Sequence, residues 1–265
     1  MIKEVSRVIT KVRSKVPLVQ AITNYVTVND CANILLSFGA SPAMVEAYDE
    51  AYDFAAIASA IYINLGTLTK EQEEAIILAS ISAKENKVSV VLDPVACSAI
   101  PRKNLIIKRM LELGRVDVIK GNGGEIKFLA GMSAKARGVD SVDNGEGLLE
   151  ACIELANKYN CVVAATGLED IITDGKRTAI VQNGVEMFTK VTGAGCMLGA
   201  LCAAAIGAEE DSFIATVNAV LSMNLAGEAA FKETQLPGSF RVKLIDNIYL
   251  LSEERYVKEG KVIWK

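Results

Sequence analysis

Residues 190–207, KVTGAGCMLGALCAAAIG, set Gly193, Ala194, Gly195 and Cys196 at the mouth of a helix built almost wholly of small side chains. Backbone N–H groups left bare at a helix start, with the positive end of the macrodipole behind them, form an anion site. Glycine lets the main chain approach a ligand closely there. A thiol in the first turn is expected to ionise more readily than free cysteine. The chain contains no histidine, which excludes a Cys–His nucleophile. The turn is not a Walker A sequence, because no Gly-Lys-Ser/Thr follows it. It is not a dinucleotide fingerprint either, because Leu198 stands where the last glycine belongs and Gly199 comes one residue late. Taken alone, the turn also reads as a tight connection into a buried helix, and Cys196 as a small buried hydrophobe.

Three further groups suit the same chemistry. Asp93 ends the apolar run VSVVLDPV (88–95), Glu125 follows GNGG (121–124), and Lys120 precedes it. Two carboxylates at one crevice fit Mg²⁺, which keeps several waters and is held by one or two carboxylates plus substrate phosphates. Lys120 would sit on those phosphates as a point charge. Singly, each acid also reads as a turn former or as a favourable charge at a helix start.

Strand-like and helix-like segments alternate around these residues. IYINL (61–65), VSVVLDPV (88–95), DVIKGN (117–122) and CVVAATG (161–167) are near-continuous apolar runs. Such runs predict strands covered on both faces, hence a mostly parallel sheet. Thr69 with Gln72 forms a capping box ahead of a helix, and a second helix begins at GGEIKFLAG and stops at Gly131. After Thr166 the pattern changes: Asp-Gly at 174–175 and Asn-Gly at 183–184 predict two hairpins of an antiparallel meander. SFIATVNAVLSMNLAGEAAFKE and SFRVKLIDNIYLLSEERY read as two closing helices. Ligands of an open parallel sheet lie at the carboxyl ends of its strands. Asn64, Gly66, Asp93, Lys120, Asn122 and Thr166 all fall at or just after apolar runs.

With no linker, repeat or low-complexity stretch, the expectation is one α/β domain over residues 1–265. Hydrophobic residues make up 51% of the chain, ample for a core, and the net charge of −4 with no basic stripe argues against nucleic acid. Six cysteines (Cys31, Cys97, Cys152, Cys161, Cys196, Cys202) include no C-x-x-C pair, so neither zinc nor a disulfide framework is expected. The first fifteen residues space Ile2, Val5, Val8 or Ile9 and Val12 as an amphipathic helix and not as a signal peptide. Reduced thiols and a cytoplasmic location follow as the expectation. Residues 191–208 approach a membrane span in length, but their Gly-x-Gly opening predicts a helix packed inside the domain.

In chain order, PLVQAITNYVTVNDCANILLSFGASPAM (17–44), INLGTL (63–68), VVLDPV (90–95), VIKGNGGEI (118–126), VVAATG (162–167), VTGAGC (191–196) and PGSF (237–240) cover most of the sequence. This succession resembles hydroxyethylthiazole kinase, the thiamine-salvage member of the ribokinase-like group. The resemblance implies a three-layer αβα fold, a mostly parallel central sheet with a late antiparallel hairpin, and ATP-dependent phosphorylation of the primary alcohol of hydroxyethyl-methylthiazole. By match, Asn24 and Met44 contact the thiazole ring, with Gly193 beside it. Asn64, Gly66 and Thr67 complete the pocket from a neighbouring subunit of a homotrimer. Lys120, Asn122, Thr166 and Thr192 contact ATP, and Asp93 and Glu125 surround Mg²⁺, directly or through water. Gly193, Ala194, Gly195 and Cys196, with Thr192, form the anion hole for the migrating phosphoryl group. Cys196 stands where relatives such as ribokinase carry an aspartate base. Departures from the family pattern are Gln20 for histidine, Ala96 and Ser98 in a run richer in glycine, Lys120 for arginine, and Gly124 for serine.

Other readings of the same residues are a kinase of this fold acting on hydroxymethylpyrimidine or a sugar, a non-catalytic sensor of thiazole or nucleotide, and an ATP-dependent repair enzyme for hydrated nicotinamide nucleotides.

Overall fold

Val5, Val8, Ile9 and Val12 are buried along the first helix of the computed structural model, α1 (Ile2–Lys15), as their spacing requires. The structure describes residues 1–132 and 147–265; residues 133–146 of the expected single domain lie outside the described part. Next come β1 (Leu18–Ile22), α2 (Val28–Phe38), β2 (Ser41–Ala43), α3 (Tyr48–Ile57), β3 (Ala60–Asn64) and α4 (Lys70–Asn86). They are followed by β4 (Ser89–Asp93), α5 (Pro101–Leu113), β5 (Val118–Asn122), α6 (Gly123–Leu129), α7 (Leu148–Tyr159) and β6 (Val162–Thr166). The chain closes with β7 (Asp170–Thr173), β8 (Thr178–Val181), a 3-10 turn (Glu186–Lys190), α8 (Ala194–Ala208), α9 (Ser212–Glu233), α10 (Pro237–Tyr249), α11 (Glu253–Glu259) and β9 (Val262–Trp264).

One nine-stranded sheet runs β2-β1-β3-β4-β5-β6-β7-β8-β9. Its pairs are parallel from β2 to β6 and antiparallel from β6 to β9. Alternate strand residues feed opposite faces. Val19, Ala21, Tyr62 and Val91 join a core with α1, α2, α8, α9 and α10. Ile22, Ile61, Ile63 and Leu92 pack with α3, α4 and α5, and Ile119, Val163 and Ala165 pack with α6 and α7. The result is the expected three-layer α/β arrangement.

Local signals explain many of the boundaries. Thr69 and Gln72 make the reciprocal capping box, and Gly131 turns the chain after α6 at φ +81°. At Asp174–Gly175 the predicted hairpin forms: Gly175 takes φ +86°, and Asp174 Oδ1 accepts from the Lys176 and Arg177 amides at 2.9 and 2.7 Å.

Two expectations are corrected. Asn183–Gly184 makes no hairpin. Asn183 Nδ2 donates to Glu228 and to the Glu259 carbonyl, both at 3.1 Å, and its Oδ1 accepts from the Lys261 amide. These bonds seat the entry to β9, which takes the edge beside β8 that a second hairpin would have filled. The last helical segment also divides, into α10 and α11. The Arg13 guanidinium donates to the Tyr249 and Leu251 carbonyls at 2.7 and 2.8 Å, replacing the helical bonds lost at the break. As expected, the uncharged stretch begins its helix only at Ala194, and α8 is buried from Met197 through Ile206. Among the described residues α9 is the one helix long and apolar enough to cross a membrane, and 89% of its apolar window is buried inside the protein.

Candidate active site

Strands β1 and β3 are neighbours whose connections pass to opposite faces of the sheet: α2 packs with the α8 layer and α3 with the α4 layer. A strand pair of this kind opens a crevice at its carboxyl end. Asn24, just after β1, and Asn64, at the end of β3, meet across it, with Asn24 Nδ2 donating to Asn64 Oδ1 at 2.9 Å. That oxygen also accepts from the Gly66 amide at 2.9 Å. Asn64 Nδ2 faces three acceptors with two protons: the Tyr62 hydroxyl at 2.9 Å, Asp93 Oδ2 at 3.1 Å and Cys196 Sγ at 3.2 Å. Asn24 Nδ2 lies 3.5 Å from the same sulfur. Parallel register brings Asp93 in, because Asn64 and Asp93 are partners in the β3–β4 ladder.

The other wall is the start of α8. Gly193 is its N-cap at φ +83° and supplies no side-chain cap. The first amide returned to the turn is that of Met197, which donates to the Gly193 carbonyl at 2.8 Å. Ahead of it stand the amides of Ala194, Gly195 and Cys196, the group that a helix start leaves without intrahelical partners. Gly193 cannot be replaced cheaply: a Cβ there would come 2.5 Å from Thr27 Cγ2.

Lys120 and Asp93 form a buried ion pair at 3.0 Å, their side chains 5% and 1% exposed. Lys120 Nζ also donates to the Gly195 carbonyl at 3.0 Å, which ties β5 to the α8 turn. Burial pushes the Asp93 carboxyl upward, and Lys120 pulls it back only in part. Burial pulls Lys120 down, but the Asp93 carboxylate, with Glu125 behind it, outweighs that, and the ammonium is held above its usual value. The Asp93 shift speaks for a neutral pair and the Lys120 shift for a charged one. The charged form is the one the geometry supports, because Asp93 Oδ2 accepts from Tyr62, Asn64 and Lys120 together, and a carboxylate oxygen takes three donors more readily than a protonated acid does.

The thiol of Cys196 corrects a sequence expectation. Burial and the adjacent Asp93 charge raise it; Lys120 and hydrogen bonds with Thr27 and Asn24 lower it by less, so the net shift is upward. Loss of water and the neighbouring Asp93 charge thus favour the thiol form of Cys196.

Glu125 reaches the same end of the sheet but is heavily engaged. Its Oε2 accepts from the Asn122 amide at 2.9 Å while Asn122 Oδ1 accepts from the Glu125 amide at 2.9 Å, a capping box at the start of α6. Its Oε1 accepts from the Ala96 amide at 2.7 Å, holding the loop after β4. Among the described residues no group of three or more acidic or thiol side chains gathers into a cation cage. The donor set therefore fits an ion that keeps its waters and leans on one or two carboxylates and on phosphates. Asn122 and Thr166 are register partners at the ends of β5 and β6; the Thr166 hydroxyl donates to the Gly121 carbonyl at 3.3 Å. Thr192 is exposed before the α8 turn.

One chain therefore brings together Asn24, Asn64, Gly66, Asp93, Lys120 and residues 193–196. Within the chain, Asn64 Oδ1 accepts from Asn24 Nδ2 and its Nδ2 lies 3.2 Å from Cys196 Sγ, and a Cβ at Gly66 would come 2.7 Å from Asn24. Met44 is half-buried against the core that contains α8. The Thr67 hydroxyl is buried and has no hydrogen-bond partner among the described residues. Gln20 turns to the opposite sheet face, where its amide donates to the Val45 and Ala51 carbonyls, both at 3.3 Å, steadying the loop that carries Met44. Gly124 is buried in α6 and Ser98 is half-buried.

Sequence reasoning passed over Tyr62 and Thr27. Tyr62 lies two residues before Asn64, so strand alternation sends it to the same face. Thr27 closes the turn after Asn24, its amide donating to the Asn24 carbonyl at 3.2 Å, and its hydroxyl pairs with the thiols of Cys196 and Cys31.

Comparison with known proteins gives this geometry a lineage. A sequence model of the hydroxyethylthiazole kinase family matches residues 9–254. The chain is 66% identical over 258 residues to hydroxyethylthiazole kinase 2 of Clostridium botulinum (strain Loch Maree / Type A3), covering 97% of this chain and 98% of that protein. The chain belongs to the hydroxyethylthiazole kinase family. A solved hydroxyethylthiazole kinase from Pyrococcus horikoshii OT3 superposes with a TM-score of 0.91 at 36% identity, covering 98% of both chains. A ribokinase-like superfamily protein from Enterococcus faecalis V583 matches with a TM-score of 0.63 at 13% identity over 91% of this chain and 89% of its own, a likeness of fold alone. Family membership makes this protein a kinase, and ATP its co-substrate.

Proposed function

We propose that the protein phosphorylates the primary alcohol of hydroxyethyl-methylthiazole in thiamine salvage, acting as one cytoplasmic kinase domain over residues 1–265. The observation that carries the reading is the meeting, at the β1–β3 crevice, of the Cys196 thiol, 3.2 Å from Asn64 Nδ2, with an α8 start that has no side-chain cap. Family membership supports the same reading.

In this account Asn24 and Met44 contact the thiazole ring beside Gly193. The amides of Ala194, Gly195 and Cys196 receive the phosphoryl group in transit, where fixed main-chain dipoles stabilise developing charge. Lys120, Asn122, Thr166 and Thr192 contact ATP. The alcohol oxygen bonds to the terminal phosphorus, the bond from that phosphorus to the ADP oxygen breaks, and the hydroxyl proton passes late to an oxygen of the transferred phosphoryl group. The transition state of phosphoryl transfer is loose, so positioning and charge neutralisation supply most of the acceleration. Cys196, as a thiol, orients the alcohol and need not remove its proton beforehand. Asp93 and Glu125 suit a hydrated Mg²⁺; bound there, the ion neutralises phosphate charge. Asn64, Gly66 and Thr67 complete the pocket of an adjoining protomer in a homotrimer, and nucleic acid and membrane have no part.

Phosphorus NMR of the purified protein tests the reading. With ATP, Mg²⁺ and the thiazole alcohol, ADP and one new phosphomonoester signal are expected to grow together. With the alcohol omitted, ATP is expected to persist; loss at an unchanged rate would mean hydrolysis instead of transfer.

A further inference from the structure

Tyr62 has no part in the assignments above, yet it is fully buried at the centre of the site. It leaves β3 on the face of Asn64 and lies against α8. Space for its ring exists because residue 199 is glycine: a Cβ there would lie 2.4 Å from Tyr62 Cε2 and 2.7 Å from its hydroxyl oxygen. A buried phenol is costly without partners. This one donates to Asp93 Oδ2 at 3.1 Å and accepts from Asn64 Nδ2 at 2.9 Å. An apolar side chain of similar volume would fill the layer without that desolvation, so packing alone does not account for the hydroxyl.

We propose that Tyr62 is a positioning residue for phosphoryl transfer: its hydroxyl locks Asp93 and the Asn64 amide into one frame against the Cys196 thiol, and Gly199 makes the room. Both groups that Tyr62 joins are polar tips at the ends of adjacent strands, and both touch Cys196 or Lys120. Loss of the hydroxyl leaves Asp93 Oδ2 with two donors and removes the bridge between Asp93 and Asn64, so the carboxylate can shift relative to the Asn64 amide and the Cys196 thiol. Substrate contacts stay intact, so the loss falls on turnover and not on binding. The inference rests on the proposed catalytic cluster and is separable from it.

The test is steady-state kinetics of Tyr62→Phe, Gly199→Ala, their double variant and Asp93→Asn, each with a melting curve. Tyr62→Phe is expected to lower kcat about tenfold, the scale of one hydrogen bond to a charged group, with both KM values within about twofold. Gly199→Ala keeps the hydroxyl but displaces the ring, and is expected to lower kcat similarly. The double variant should be no slower than the slower single one, as for residues acting through one contact. A parent-like kcat in Tyr62→Phe, a loss confined to KM, or additive losses in the double variant would each overturn the role of Tyr62. If Asp93→Asn is impaired while Tyr62→Phe is not, the catalytic cluster stands and only this inference falls. If Asp93→Asn turns over at the parent rate, the cluster itself is wrong and Tyr62 falls with it.

Discussion

Cys196 illustrates how neighbours outweigh position. A helix start favours thiolate, but its thiol is raised by burial and by Asp93, and what remains is a hydrogen-bonding group aimed by two asparagines. Cys196→Ala is therefore expected to reduce kcat about ten- to a hundredfold, below the usual span for loss of a general base, with ATP affinity by calorimetry unchanged. Cys196→Asp should remain active. Parent-like rates in both would remove Cys196 from the mechanism. Gly193 is held by conformation and by space, with φ +83° and Thr27 Cγ2 2.5 Å from any Cβ. Gly193→Ala should cost about 1–3 kcal/mol of stability in denaturant titrations, and kcat should fall as the amides of 194–196 shift. At this scale the cysteine, the glycines, the two asparagines and the acid–lysine pair were legible as residue types at strand ends. The pairing of Asp93 with Lys120 and the direction of the Cys196 shift were not, because both depend on burial and on distances between strands far apart in sequence.

Individual elements hold the site through polar contacts at their ends. Asp170 on β7 accepts from Asn224 Nδ2 of α9 at 2.7 Å and from the Gly167 amide at 3.1 Å. Burial outweighs those bonds and pushes its carboxyl from 3.8 up to about 6. The folded protein thus holds this proton more tightly than the unfolded chain. The group favours folding below about pH 4, and that advantage is lost as pH rises through about 6, a swing of about 3 kcal/mol. Asp170→Asn should gain stability relative to the parent between pH 4.5 and 7, read as diverging melting temperatures; parallel curves would contradict this. The loop after β4 carries a second cost, since Ala96 sits at φ +56°. Ala96→Gly is expected to raise stability by about 0.5–1 kcal/mol, the scale of left-handed strain in a non-glycine residue. Strands β3 to β6 and the 174–175 hairpin were readable because apolar runs and turn dipeptides are local signals. Asn183–Gly184 misled because its side chain serves a contact with β9, nearly eighty residues away in sequence.

At the scale of the whole molecule, the proposed chemistry belongs to the β1–β3 crevice, where connections diverge and the start of α8 meets the strand tips. That arrangement followed from the parallel sheet, although β9, the split of the closing helices and the contacts of Asn64 with Asn24 and Cys196 did not. Light scattering is expected to give three times the 28.3 kDa chain mass, and a monomer fully active on dilution would remove the trimer from the account. The most direct measurement is a crystal structure of the protein soaked with the thiazole alcohol and a non-hydrolysable ATP analogue. The terminal phosphate should lie on the amides of Ala194, Gly195 and Cys196, with the alcohol oxygen between it and the thiol. A terminal phosphate bound away from the α8 start would contradict the account.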